Sequence, residues 1–98
     1  MDHNAYTPIV LDLTDCSNRE ALHRRIQSTF DFPAYYGKNW DAMWDCLTDV
    51  FMENGVCRVI HIKGFDTMSD DLQNDCQAMK KIFSHLQQDF PDTIIRYL

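Results

Sequence analysis

Apolar positions along this 98-residue chain fall into short unbroken runs and longer stretches at helical spacing. Ile9-Val10-Leu11-Asp12-Leu13 is aliphatic and β-branched, so Thr7–Leu13 is predicted as a buried strand. Pro8 sits at its start, where a missing ladder donor is tolerated. Ser17-Asn18-Arg19-Glu20 has the form of a capping box, in which Ser17 and Glu20 satisfy each other's amides. Leu22, Ile26, Thr29 and Phe30 follow at helical spacing, and Pro33 disfavours helix at Phe32, which is expected to end the element. Beyond a loop over 33–39, Asn39 fits an N-cap. Trp40, Met43, Trp44, Leu47, Val50 and Phe51 then form one apolar helix face. Gly55 is the expected stop, Val56–Ile62 the second strand and Lys63-Gly64 a turn. Phe65–Met68 is expected to make a short helical turn. Ser69, followed by Asp70 and Asp71, opens a longer helix with Leu72, Cys76, Met79, Ile82, Phe83 and Leu86 as its buried stripe. Pro91-Asp92 ends it, and Thr93–Leu98 is the third strand.

Strands separated by crossovers this long pair in parallel through right-handed connections. The fold class expected is α/β, a three-stranded parallel sheet with flanking helices, in a single domain over residues 1–98.

Charge narrows the function. Fifteen acidic against nine basic residues give a formal net charge of -6, which repels phosphate backbones and favours a partner with a basic surface. Direct nucleic-acid binding is therefore not expected. Neither is membrane association, since no apolar run reaches the roughly 18 residues of a span, and no leader is visible at Met1–Thr7. Cys16, Cys46, Cys57 and Cys76 are widely spaced without a Cys-x-x-Cys pair, and read as reduced thiols of a cytoplasmic protein.

Catalytic readings find little support. Three glycines and no phosphate-loop or nucleophile-elbow motif leave no place to cradle a nucleotide or activate a serine. His3, His23, His61 and His85 lie in four separate segments without ligand spacing, so no metal and no cofactor is expected. Cys46, beside Asp45, sits near the apolar stripe and reads as a buried thiol rather than a nucleophile. The sharpest oddity is Asp41, Asp45, Asp49 and Glu53, like charges at i+4 steps with no Lys or Arg from Asn39 to Cys57. Such a stripe is either a solvated face or a docking surface for a cation, and Tyr35 and Tyr36 beside it are residue types favoured as interface anchors.

The segment Pro33-Ala34-Tyr35-Tyr36-Gly37-Lys38-Asn39-Trp40-Asp41-Ala42-Met43-Trp44-Asp45-Cys46-Leu47-Thr48 closely resembles the signature of the barstar family of intracellular ribonuclease inhibitors. That signature is Pro-x-Tyr-Tyr-Gly-x-Asn-Leu-Asp-Ala-Leu-Trp-Asp-Cys-Leu-Thr. Weaker similarity includes Phe65, Ile82-Phe83 and Asp92-Thr93-Ile94-Ile95. The resemblance implies a protein that is not an enzyme but plugs a ribonuclease active site, and a monomer when free. It implies that Asp45 occupies a phosphate position and that Asp41 faces a substrate-binding arginine. Tyr35, Tyr36, Gly37, Asn39, Ala42, Trp44 and Thr48 match surrounding contact positions. Four departures mark this chain. His85 aligns with a family contact acid, Asp49 stands where the family has glycine, a short insertion follows, and Trp40 replaces a leucine. Trp40, Asp49 and His85 are therefore counted with the partner-binding set.

The expected function is ribonuclease inhibition, giving immunity to the producer's own nuclease or a delivered toxin. A regulatory module for another basic protein is the alternative, and a small hydrolase using Asp45 and His85 a more distant one.

Overall fold

The computed structural model describes residues 8–54 and 59–98, and only the backbone at 53 and 54. Three parallel strands lie side by side in chain order: β1 (Ile9–Asp12), β2 (Val59–Lys63) and β3 (Ile94–Tyr97). Ile9 is opposite Ile60, and Ile60 opposite Ile95, so one row of aliphatic side chains crosses the sheet. The first crossover holds α1 (Arg19–Phe30) and α2 (Trp40–Asn54). The second holds a 3₁₀ turn (Phe65–Thr67), α3 (Asp70–Asp75) and α4 (Gln77–Asp89). This is the α/β, three-stranded parallel sheet with flanking helices that the pattern predicts.

The element boundaries show where local signals competed. The capping box is not used. Asn18, one residue later than Ser17, is the N-cap of α1, and its Oδ1 accepts the Ala21 amide at 2.8 Å. Glu20 instead pairs with Arg24 at 3.1 Å along the helix. Helix α1 also ends before Phe32, because Asp31 turns into the left-handed region at φ 57° and the Phe32 amide closes back on Gln27 at 2.9 Å. That turn drives Phe32 into the core, stacked on Phe30.

The long last helix is two. Cys76, with ψ near zero and its N–H directed at Leu72 and Asn74, separates α3 from α4. Leu72 on one side of the break and Met79, Phe83 and Leu86 on the other are all buried, as one stripe of an unbroken helix would be. Ile82, expected in that stripe, is only half-buried. The expected strand start at Thr7, the stop at Gly55, the start of the second strand at Val56, and Cys57 lie outside the described residues.

The helices cover the sheet through Leu22, Ile26, Met43, Leu47, Met79 and Phe83, which meet Leu11, Ile60 and Ile62 in one cluster. Cys16, Cys46 and Cys76 are free thiols within it. Two of them show what that burial does: desolvation raises the Cys16 thiol, and raises Cys76 to about 11.

The turn after β2 depends on Gly64. Its φ of 78° is left-handed, and a Cβ there would overlap the backbone nitrogen and hydroxyl of Thr14. Gly64→Ala is expected to cost about 2 kcal/mol or more, from combined backbone strain and overlap. Urea unfolding measures it, and a midpoint unchanged from wild type would refute the assignment.

Candidate functional site

The loop between α1 and α2 is built around one tyrosine turned in and one turned out. The Tyr36 amide donates to the Pro33 carbonyl at 3.0 Å, and Gln27 Nε2 holds the same carbonyl at 2.9 Å. Tyr36 is thereby buried beside Phe32, with its hydroxyl 2.7 Å from Nδ1 of the fully buried His23. Tyr35, the next residue back, is 81% exposed. In this placement the Tyr36 side chain fixes the loop from inside, and Tyr35 is the ring offered to solvent.

Past Gly37 and the left-handed Lys38, Asn39 starts α2 as expected, its Oδ1 accepting the Ala42 amide at 2.8 Å. Its Nδ2 donates back to the Gly37 carbonyl at 3.3 Å, which ties the loop to the helix end. Trp40 packs on His23 with tilted rings and 4.4 Å between ring centres, and its indole N–H points to Asp75 at 3.5 Å. Asp75 in turn pairs with Arg19 at 3.3 Å. Trp40 thus belongs to the support of the site. His23 is the residue that sequence reasoning missed. Both Tyr36 and Trp40 lean on it, but an isolated histidine in a helix carries no local signal of that role.

The acidic stripe does not form one face. Each i+4 step advances about 40° around a helix of 3.6 residues per turn. Accordingly Asp41 and Asp45 line a groove between α2 and α4, together with Trp40, Trp44, Lys81 and His85. Asp49 has rotated to the other side, into a groove with Asp31, Tyr35 and Met52. All three carboxylates are exposed, and none forms an ion pair among the described residues. The side chain of Glu53 lies outside the described residues.

Trp44 stands half-buried between the acids, edge-on to His85 at 6.1 Å. Ala42 is half-buried, and the Thr48 hydroxyl donates to the carbonyls of Trp44 and Asp45. Cys46 is buried under the helix. Burial first, then the charges of Asp49 and Asp45, raise its thiol, opposite to the activation a nucleophile needs. Among the described residues no hydrogen bond joins Asp45 to His85, and no group of three or more His, Cys, Asp or Glu could hold a metal. No helix among them is long and apolar enough to cross a membrane.

Fold and site together define a small α/β domain that presents an acidic helix beside an aromatic loop. A family model described as Barstar (barnase inhibitor) matches residues 6–96. The chain belongs to the barstar family, a family of inhibitors. A 40-residue stretch is 52% identical to "Putative ribonuclease inhibitor YrdF" of Bacillus subtilis (strain 168), covering 41% of this chain and 44% of that protein.

Proposed function

We propose that this chain inhibits a ribonuclease by seating α2 and the 33–39 loop in the enzyme's phosphate-binding cleft. The observation that carries the reading is the set of exposed carboxylates on one helix, unpaired among the described residues, with Tyr35 and Trp44 beside them. A carboxylate fixed in this way imitates a phosphate oxygen, and its pairing with a basic cleft strengthens as water leaves. Asp45 takes the catalytic phosphate position and Asp41 a neighbouring basic group. Tyr35, Gly37, Asn39, Ala42, Trp44, Thr48 and Asp49 supply the surrounding contact, while Tyr36 and Trp40 hold it in place. In this reading the protein is a cytoplasmic, non-enzymatic single domain, monomeric when free, that protects its producer from its own or a delivered nuclease. The YrdF name and the family description support the class of partner, and the geometry supports the manner of binding.

The test is titration of purified protein into its genetically adjacent ribonuclease, or into barnase, with RNA cleavage as the readout. Loss of cleavage at a one-to-one ratio is expected. Full activity at tenfold excess over both enzymes, alongside a stoichiometric non-nuclease partner from cells, would replace this reading with that of a regulatory module.

A further inference from the structure

The groove between α2 and α4 has walls of opposite sign. Asp41 and Asp45 stand on the α2 side, Lys81 and His85 on the α4 side, with Trp44, Ala78 and Ile82 between them. Lys81 and His85 are exposed, and neither forms an ion pair among the described residues. The neighbouring Lys80 is already engaged, its ammonium 4.2 Å from the centre of the Phe65 ring and 5.4 Å from that of Tyr97. Among the described residues, Lys81 is the cation that lines the groove. A base at this place is unexpected on a surface that otherwise recruits a basic partner, because like charges across an interface oppose binding.

We propose that Lys81 and His85 receive an acidic side chain of the ribonuclease, so that the groove selects a partner bearing a base and an acid at the rim of its cleft. The base meets Asp41 and Asp45, and the acid meets Lys81 with an imidazole N–H of His85 beside it. Trp44 and Ile82 form an apolar floor that dries both pairs. Charge complementarity picks this occupant: a partner with only bases at its rim would meet repulsion along α4. Lys81 and His85 are then specificity residues, separating nucleases that share the same phosphate-binding centre but differ at its edge.

This inference rests on the inhibitory reading, and its experiment keeps the two apart. Affinity for the ribonuclease that the wild type inhibits is measured for Lys81→Ala, Lys81→Glu, His85→Ala and Asp45→Ala, with thermal melts confirming the fold. Lys81→Glu makes the inhibitor more acidic, so net charge alone would strengthen its attraction to a basic enzyme. The opposite is expected here. Lys81→Ala and His85→Ala weaken binding about 3- to 10-fold and Lys81→Glu about 10- to 100-fold. Unchanged or tighter binding in the Lys81 and His85 variants, with loss only in Asp45→Ala, would overturn the rim assignment and leave the inhibitory reading standing. Unchanged binding in all four would remove both.

Discussion

Asp45→Ala is expected to weaken binding of the ribonuclease by about 2–5 kcal/mol, roughly 30- to 5,000-fold in Kd. This is the general range for breaking a desolvated charge pair at an interface. The loss exceeds what the carboxylate gains in solution, because truncation leaves the enzyme's basic groups buried without a counter-charge. The fold should not suffer. Asp45 is exposed and makes no ion pair among the described residues, alanine is the better helix former, and one like-charge i+4 repulsion on each side disappears. A melting temperature equal to or slightly above wild type, together with the lost inhibition, separates a contact residue from a structural one. Asp45→Asn keeps the shape and removes the charge, and should fall between. Wild-type affinity in Asp45→Ala would end the phosphate-imitation model.

Stability is expected to fall by up to about 3 kcal/mol between pH 6.5 and pH 4 because of His23. Burial, reinforced by the Arg19 charge and opposed by Asp75, lowers its pKa from 6.5 to about 4. The unfolded chain takes up a proton near pH 6.5, whereas the folded protein resists until about pH 4. Unfolded chains therefore bind more protons across that window, and stability rises with pH through it. The contribution is complete above pH 6.5 and gone below pH 4. Protonation would also place a charge under Tyr36 and Trp40 while Nε2 has no partner among the described residues, so the loop should loosen as stability falls. Denaturant unfolding at pH 7, 6 and 5, compared with His23→Gln, isolates the effect. Parallel curves for the two proteins would show that His23 does not titrate as its surroundings require.

Much of the site could be read in the linear chain. Asn39 as the cap of α2, the apolar face from Trp40 to Phe51, and the exposed acids at i+4 are local properties of one helix. The buried, inert character of Cys46 also followed from its place in that pattern. Boundaries set by competing local interactions were less legible. Ser17 and Asn18 both suit an N-cap, and only the path of the chain leaving β1 decides between them. The break at Cys76 has no proline or glycine to announce it, and an unbroken helix would also bury Leu72 and Met79 on one face, so the hydrophobic pattern does not betray it.

The order of hydrophobic runs alone determined a three-stranded parallel α/β sheet, because long crossovers leave few other topologies. The residue pattern of 33–48 alone determined the family and the acidic helix. The tertiary structure decided what each side chain does. It turned Tyr36 inward onto His23 and left Tyr35 outside, and it divided the acids between two grooves. It also brought Lys81 and His85 from a distant helix against Asp41 and Asp45. These are long-range packing outcomes: spacing along a helix dictates which residues share a face, but only the packing of α4 against α2 dictates what that face meets.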